Sequence, residues 1–411
     1  KKEVKNEEKN IVVVKENEVI KAEKKVSGSL VNYETAGNVR ADDNIALWAI
    51  DNNTNVVNKY IIESYYTGNE TKNFSAEISQ NANFINEGTI AGNKGGVSLH
   101  SGAVMTNNGT VSNTGDYGVY LENTGTELNN SSAGKIENGG NYGVYLNEGT
   151  KAENNGSIGN NGKFGIYVNN GKAVNNGVVE NKDNFGIYVL GSDAVSENNG
   201  TVKNTGSYGL YSGNGAQVKN NSEGRAENTG DYGIYTEGEG SVSVNSGIVR
   251  NGKAYGMVAK SGGKAVNEEN GVISNGTDYG MYAEETGSIV QNNGIIVNTG
   301  NRGIQAVLGG TGINGETGVI QNTGNVGMYS GSGSSVSNAG RIENRGSHGM
   351  YITNRGTGKN TGTIANKRDN GITVINDSSL AVNEESGIIA NNGRYGMDIE
   401  NSATGINNGM I

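Results

Sequence analysis

The sequence contains no cysteine and no proline, and its 411 residues include only two histidines, one tryptophan and four phenylalanines. Without cysteine there can be no disulfide scaffold and no thiol chemistry, although the absence of thiols does not identify a compartment. No apolar run approaches the roughly 18 residues needed to span a bilayer. The two histidines, His100 and His348, are too far apart in a repetitive chain to share a metal or a catalytic triad. We therefore predict no catalytic residue, no metal site and no cofactor.

The charge balance makes nucleic acid an unlikely partner class. The net charge is -10 and the isoelectric point is near 5.0, so the chain repels phosphate backbones and anionic headgroups. The lysine-rich residues 1–25 also contain many glutamates, which makes them a mixed-charge tail and not a basic patch. Only 33% of residues are hydrophobic, which in a chain without a pattern would indicate disorder.

A repeated phrase supplies the pattern. It reads Gly-x-aliphatic-x-Asn-x-x-x-x-Gly, as in Gly156 to Gly165, and returns roughly every 23 residues, a period typical of solenoids. The spacing inside the phrase is constant, whereas the segment between phrases varies in length. Its second glycine recurs at Gly96, Gly118, Gly143, Gly165, Gly186, Gly209, Gly233, Gly256, Gly280, Gly303, Gly327, Gly349, Gly371 and Gly396.

Three short strands fit into each repeat. The β-branched centre of the phrase, as in Ile158, predicts the inner face of one parallel sheet, and Ile166 in Phe-Gly-Ile-Tyr predicts a second. A looser third side carries small residues such as Ala173. We predict an all-β, right-handed parallel β-helix of triangular section, because neither the hexapeptide nor the calcium-binding nonapeptide pattern is present. Residues 81–411 would form the regular helix, truncated at its C-terminal end, and residues 1–80 an irregular N-terminal cap.

Asparagine occupies one fixed position in each phrase. By strand parity these amides point inward, where an unpaired polar group would cost a few kcal/mol. Stacked amides can donate to one neighbour and accept from the other, as in cross-β ladders. The predicted structural ladder is Asn113, Asn138, Asn160, Asn181, Asn204, Asn228, Asn251, Asn275, Asn298, Asn322, Asn344, Asn366 and Asn391. A second, less regular set precedes the first glycine at Asn154, Asn175, Asn198, Asn245, Asn292, Asn338, Asn360 and Asn407.

Tyrosine recurs two residues after the second glycine. This predicted exposed stripe consists of Tyr120, Tyr145, Tyr167, Tyr188, Tyr211 and Tyr235. Stacked rings stabilise one another and shield the backbone, which is a sufficient structural explanation. Tyrosine is also enriched in binding hot spots, so the stripe is our first candidate binding surface. A companion column just before the glycine, Tyr117, Tyr142, Phe164, Phe185, Tyr208, Tyr232, Tyr255 and Tyr279, shares inward parity and is interpreted as packing.

Other candidate sites are weaker. The cap residues Trp48, Tyr60, Tyr65 and Tyr66 form an alternative binding surface. Gly310 to Gly315 matches Gly-x-Gly-x-x-Gly but precedes no predicted helix, so it does not indicate a dinucleotide site. Outward acids recur at one position of the phrase without occupying adjacent coils throughout, so a carboxylate pair for glycan cleavage is the minority interpretation. These acids are Glu137, Glu180, Glu227 and Glu343.

The repeats Asn154-Asn155-Gly156-Ser157-Ile158 and Phe164-Gly165-Ile166-Tyr167-Val168 resemble those of type V autotransporter passenger domains, most of all the large Asn/Gly-rich adhesins of fusobacteria. The resemblance covers about residues 80–411. It implies a monomeric cell-surface adhesin that binds host-cell or bacterial surface proteins or glycans and is anchored through a C-terminal outer-membrane barrel absent from this chain. The alternatives are a polysaccharide-active β-helix lyase or hydrolase, or a purely structural stalk.

Overall fold

The computed structural model describes residues 25–27, 32–35, 37–52, 54–69 and 73–411. Most of the mixed-charge tail, residues 1–24, lies outside the described residues. The chain forms two compact units. The first comprises Lys1–Val189, Asp193–Ser196 and Gly200–Lys203, and the second comprises Leu190–Ser192, Glu197–Asn199 and Asn204–Ile411. The predicted division at residue 80 stays a prediction.

All the regular elements of the described residues are β-strands. Those of the first unit are β1 (Lys25–Ser27), β2 (Asn32–Glu34), β3 (Val39–Asp42), β4 (Leu47–Ile50), β5 (Asn55–Asn58), β6 (Ile61–Tyr65), β7 (Phe74–Ile78), β8 (Asn83–Asn86), β9 (Thr89–Gly92), β10 (Gly95–His100), β11 (Val104–Asn107), β12 (Thr110–Asn113), β13 (Tyr117–Glu122), β14 (Glu127–Asn130), β15 (Lys135–Asn138), β16 (Tyr142–Leu146), β17 (Lys151–Asn154), β18 (Ser157–Asn160), β19 (Phe164–Asn169), β20 (Lys172–Asn175) and β21 (Val178–Asn181). The next three each include residues of both units: β22 (Phe185–Leu190), β23 (Val195–Asn198) and β24 (Thr201–Asn204).

The strands of the second unit continue the same order. They are β25 (Tyr208–Gly213), β26 (Gln217–Asn220), β27 (Arg225–Asn228), β28 (Tyr232–Glu237), β29 (Val242–Asn245), β30 (Ile248–Asn251), β31 (Tyr255–Lys260), β32 (Lys264–Asn267), β33 (Val272–Asn275), β34 (Tyr279–Glu284), β35 (Ile289–Asn292), β36 (Ile295–Asn298), β37 (Arg302–Val307), β38 (Thr311–Asn314), β39 (Val319–Asn322), β40 (Val326–Ser330), β41 (Ser335–Asn338), β42 (Arg341–Asn344), β43 (His348–Ile352), β44 (Thr357–Asn360), β45 (Thr363–Asn366), β46 (Asn370–Ile375), β47 (Leu380–Asn383), β48 (Ile388–Asn391), β49 (Tyr395–Glu400) and β50 (Thr404–Asn407).

Each unit is a parallel β-solenoid with three sheets, because every strand pairs in parallel with the strand three places along the chain. The tyrosine sheet contains β13, β16 and β19 in the first unit. The isoleucine sheet contains β12, β15 and β18, and the third sheet contains β14, β17 and β20. The second unit repeats this arrangement, starting with β25 in the tyrosine sheet, β27 in the isoleucine sheet and β26 in the third sheet. The predicted all-β parallel solenoid of about 23 residues per coil is thus confirmed, and its right-handedness stays a prediction.

The core consists of the predicted inner columns. In β18 the side chains of Ile158 and Asn160 are buried, while the alternate positions are half-buried. Ile166 of the tyrosine sheet is 1% exposed. In the second unit the inner position of that sheet passes to methionine, and Met257 and Met281 are both fully buried. Flexible thioethers fill the space left by small neighbours such as Ala259 and Ala283. Aliphatic burial on three narrow sheets therefore holds a glycine-rich chain together.

Amide ladders run along the interior of each unit. In the first, the Nδ2 of Asn113 donates to the Oδ1 of Asn138 at 2.9 Å, and the pattern continues to Asn160 and Asn181. In the second unit, the ladder runs from Asn204 to Asn391 with steps of 2.8–3.1 Å. Each amide between the ends of these ladders thus has both a donor and an acceptor partner in neighbouring coils, which removes the penalty of burying it. At the start of the first ladder the Oδ1 of Asn113 has no hydrogen-bond partner.

The second asparagine set forms an equally regular ladder. Its steps are 2.7–2.8 Å from Asn58 to Asn175 in the first unit and from Asn198 to Asn407 in the second. Sequence reasoning missed five of its members because the next glycine lies four residues on instead of two, and it missed three more at the start of the chain, Asn58, Asn86 and Asn107. Asn154 donates to Gly156 two residues on, whereas Asn130 donates to Gly134 four residues on. The missed members are Asn58, Asn86, Asn107, Asn130, Asn220, Asn267, Asn314 and Asn383.

Candidate functional site

The tyrosine sheet presents aromatic side chains on both sides of its glycine. A Cβ on Gly165 would lie 2.6 Å from the Cγ1 of Val179, so this glycine faces the core. Ile166, the next residue, also faces the core, and the flanking Phe164 and Tyr167 are both half-buried. Two successive inward residues break the alternation of a regular strand. The expectation that the companion column packs in the core is therefore wrong, and its rings lie beside the stripe.

Within each column of the first unit the rings stack face to face. In the companion column, Tyr117, Tyr142, Phe164 and Phe185 follow one another at centroid distances of 5.0, 5.1 and 5.2 Å, each with an interplanar angle of 6°. In the stripe, Tyr145 and Tyr167 are 4.8 Å apart at 8°. These separations match the spacing between adjacent parallel strands, so the backbone pairing itself brings the rings into contact.

Between the two columns the rings meet edge to face. Tyr142 and Tyr145 are 5.1 Å apart at 89°, and Phe164 and Tyr167 are 5.1 Å apart at 79°. Both geometries suit the charge distribution of aromatic rings and contribute about 0.5–1.5 kcal/mol per pair. We call this arrangement of the first unit the aromatic array: Tyr117, Tyr120, Tyr142, Tyr145, Phe164, Tyr167, Phe185 and Tyr188.

The stripe is less exposed than strand alternation predicts, since the companion rings cover part of it. Tyr120 is 5% exposed and has Phe74 at 5.9 Å. Tyr145, Tyr167 and Tyr188 are half-buried. In the second unit Tyr211 and Tyr235 are also half-buried and stack at 5.6 Å. The aromatic surface therefore consists of ring edges and partial faces held rigidly in place.

Burial changes the acidity of the phenols. Desolvation raises the pKa of Tyr117, Tyr142 and Tyr167 and raises the pKa of Tyr145 to about 12. The pKa of Tyr120 is also raised by burial and by a hydrogen bond from its hydroxyl to Glu122 at 2.8 Å. Desolvation penalises the phenolate and leaves the neutral ring intact. The array is consequently uncharged at neutral pH.

We expect the stability that the aromatic array contributes to be lost only when the pH rises above about 10, the ordinary pKa of tyrosine. Below that pH both folded and unfolded phenols are neutral, and the full stability is present. Above it the unfolded chain releases protons first, so stability falls as the pH rises from about 10 through the raised folded pKa values. Ultraviolet titration of tyrosinate, compared with thermal unfolding at each pH, checks this. Titration of the folded protein at the same pH as the chemically unfolded chain would contradict it.

The four candidate residues of the cap do not form one surface. Trp48 of β4 is in register with Glu77 of β7, which is in register with Ser98 and then Tyr120. It therefore lies in the column of the stripe. By contrast, Tyr65 ends β6 in the isoleucine sheet, is 44% exposed, and has the guanidinium of Arg40 5.3 Å from its ring. Tyr60 is 46% exposed just before β6, and Tyr66 follows β6.

Three of the four outward acids are engaged in ion pairs. Glu180 contacts Lys203 at 3.0 Å, Glu227 contacts Arg250 at 3.3 Å, and Glu343 contacts Arg341 at 2.6 Å. Glu137 and Glu180 line a depression of about 390 Å³ over Gly159, which has no side chain to fill it. Exposed pairs of this kind contribute little to stability, about 0–1 kcal/mol. They suit a solvated face, in agreement with the majority interpretation of the sequence.

The two histidines have separate environments. His100 Nε2 lies 2.7 Å from the carboxylate of Glu77, which raises the pKa of this histidine, while His348 lies in the second unit. Within the described ranges no three potential metal ligands come together. Among these same residues no helix has the length and apolar character to cross a lipid bilayer.

Among the solved structures to which the chain is similar is a TibC-catalysed hyper-glycosylated fragment named TibA55-350. The identity is 13% and the TM-score 0.24, over 91% of this chain and 99% of that fragment. At these values the likeness assigns no function. No protein-family model and no curated protein matches the chain.

Proposed function

We propose that this chain is a non-enzymatic adhesin segment, displayed on a bacterial surface, whose aromatic array contacts a protein or glycan of a host cell or another bacterium. One observation carries the proposal. Eight aromatic rings occupy one face of the first unit, and seven of them are half-buried at its surface. A surface of this composition favours a binding role, because aromatic side chains are enriched at binding hot spots.

The rigidity of the array favours recognition. Each tyrosine is fixed by stacking within its column and by edge contacts with the other column, so little side-chain entropy remains to be lost on binding. The hydroxyls at the ring tips can donate and accept hydrogen bonds while the carbon faces supply apolar area. Such a surface suits protein loops and sugar rings equally. Secretion and outer-membrane anchoring belong to the same proposal and rest on the resemblance to autotransporter passengers.

The test replaces two adjacent stripe tyrosines, Tyr145→Val with Tyr167→Val. Valine already occupies this column at Val258, where it is 2% exposed, so the solenoid tolerates it. We expect attachment of the purified protein to host epithelial cells and to partner bacteria to fall about tenfold or more, because two hot-spot rings are lost. Attachment is measured by flow cytometry with fluorescently labelled protein.

The matched control is Tyr142→Phe in the companion column. Phenylalanine occurs in that column at Phe164 and Phe185, so this change keeps the ring and removes only a hydroxyl. We expect it to retain at least half of the attachment. Unchanged attachment of a correctly folded double variant would reject the array as the contact surface, and absence of attachment by the unmodified protein would favour a structural stalk.

A further inference from the structure

The aromatic rows of the second unit give way to polar residues along the chain. In the companion position the register passes from Tyr279 to Arg302, Val326, His348 and Asn370. In the stripe position it passes from Tyr329 and Tyr351 to Thr373 and Asp398. This change of residue type opens a depression of about 540 Å³, lined by His348, Tyr351, Asp369, Asn370, Thr373, Arg394 and Asp398 among others.

One wall of the depression is an aromatic ring. Tyr351 stacks on Tyr329 at 5.8 Å and 6°, and the guanidinium of Arg302 lies 3.8 Å from the Tyr329 centroid. One face of the Tyr351 ring is thus covered by Tyr329 of the preceding coil. The next coil presents the small side chain of Thr373 at the same position. The opposite face of Tyr351 therefore borders the depression, and the imidazole of His348 contacts the same ring at a centroid distance of 5.0 Å and an angle of 58°.

A hydrogen-bond network fixes the polar wall. Asn370 Nδ2 lies 2.8 Å from a carboxylate oxygen of Asp398, which can only accept, so this amide orientation is determined by chemistry. The same Nδ2 donates to Thr373 Oγ1 at 3.0 Å. The Thr373 hydroxyl lies 2.8 Å from His348 Nδ1, and since its oxygen already accepts from Asn370 we assign it as the donor to that nitrogen. Burial lowers the pKa of His348, so the imidazole is neutral at pH 7, with its proton on Nε2.

The network leaves one buried acceptor without a partner. Asn370 is 6% exposed, and its Oδ1 has no hydrogen bond. A buried amide oxygen of this kind costs about 1–3 kcal/mol when it stays unpaired. The depression itself therefore offers an imidazole N–H donor and the ring of Tyr351, beside a polar wall in which the Asn370 oxygen is enclosed. A sugar hydroxyl can both donate and accept, and the C–H face of a sugar ring packs against an aromatic ring.

From this geometry we propose that the depression is a binding site for a neutral carbohydrate, with Tyr351 as its stacking platform and His348 as its hydroxyl partner. The charge around it selects against acidic sugars. Three carboxylates, Asp369, Asp398 and Glu400, line the depression against the single guanidinium of Arg394. A sialic acid or uronic acid would meet repulsion there. The site is separate from the aromatic array and does not depend on the adhesin proposal.

The experiment measures saturation transfer by NMR from the protein to methyl β-galactoside, methyl α-glucoside and methyl α-mannoside. Sialyllactose is the anionic probe and a lysine pentapeptide is the cationic one. We expect transfer to the ring protons of at least one neutral glycoside. Two variants weaken it about tenfold or more: Tyr351→Thr, which copies Thr373 of the next coil, and His348→Phe, which copies the phenylalanine of the companion column.

The matched control is Tyr282→Thr, a ring of the same column outside the depression, which is expected to leave the transfer unchanged. Circular dichroism confirms that each variant is folded, and His348→Phe keeps the test decisive if Tyr351→Thr does not fold. Three results would overturn the proposal: no transfer to any neutral glycoside, preference for sialyllactose or the lysine peptide, or transfer to both variants as strong as to the unmodified protein. None of these assays requires attachment to cells, so the adhesin proposal is judged separately.

Discussion

Replacing Asn322 by leucine is expected to destabilise the second unit by about 2–5 kcal/mol, although leucine is similar in size. Asn322 is 1% exposed. Its amide donates to Asn344 at 2.8 Å and to the carbonyl of Val326 at 3.0 Å, and it accepts from Asn298 at 2.9 Å. Leucine would leave the Asn344 oxygen and the Val326 carbonyl without these donors, and each buried unsatisfied group costs about 1–3 kcal/mol.

The measurement is amide hydrogen exchange together with guanidinium unfolding. Exchange should accelerate first in β39 and β42, the strands that carry Asn322 and Asn344, because solenoid stability is the sum of nearest-neighbour terms. The control is Asn325→Ala. Asn325 is exposed and donates to Asn301 at 2.7 Å, so its loss is expected to change stability by less than about 0.5 kcal/mol. Equal effects of the two substitutions would show that the ladder does not stabilise the fold.

The solenoid could be predicted from the sequence because its information is repeated. The same pattern, an inward β-branched residue flanked by outward small or polar ones, recurs at Val111, Ile136 and Ile158. A pattern that would be ambiguous in one strand indicates a β-solenoid when it recurs in successive coils. Asparagine at a constant offset indicated the first ladder for the same reason. The second ladder was missed at Asn130, because two extra residues separate it from Gly134 in the sequence. Its side chain nevertheless keeps its place in the ladder and donates to Asn154.

The arrangement of the aromatic rings could not be predicted from periodicity alone. Alternation assigns Phe164 and Ile166 to one face, but Gly165 and Ile166 both face inward, where there is no space for a Cβ at position 165. Similarly, the polar depression depends on which residues replace the rings in consecutive coils. The order Arg302, Val326, His348 and Asn370 is visible in the sequence, whereas the unpaired Asn370 oxygen follows only from side-chain geometry.

The same glycine provides the second large prediction. Gly165→Ala is expected to destabilise the first unit by about 3 kcal/mol or more, since the added Cβ would lie 2.5 Å from the carbonyl oxygen of Gly186 and 2.6 Å from Val179 Cγ1. Overpacking costs about 1–3 kcal/mol when side chains can move. Here one of the obstructing atoms belongs to the backbone of the following coil, and moving it would strain strand pairing as well.

Gly159→Ala is the matched control, six positions earlier in the same coil. Its added Cβ would have Ile136 O as its nearest neighbour, at 4.0 Å, so we expect stability to be unchanged or higher by about 0.4–1 kcal/mol, because alanine reduces the freedom of the unfolded chain. Chemical unfolding gives the stabilities, and near-ultraviolet circular dichroism gives the ring packing. Gly165 lies between Phe164 and Tyr167, so its substitution should also weaken the aromatic signal, while Gly159→Ala preserves it. If Gly165→Ala instead kept both the stability and the aromatic signal, the close contact of Gly165 with the following coil would not be needed to hold the rings in two columns.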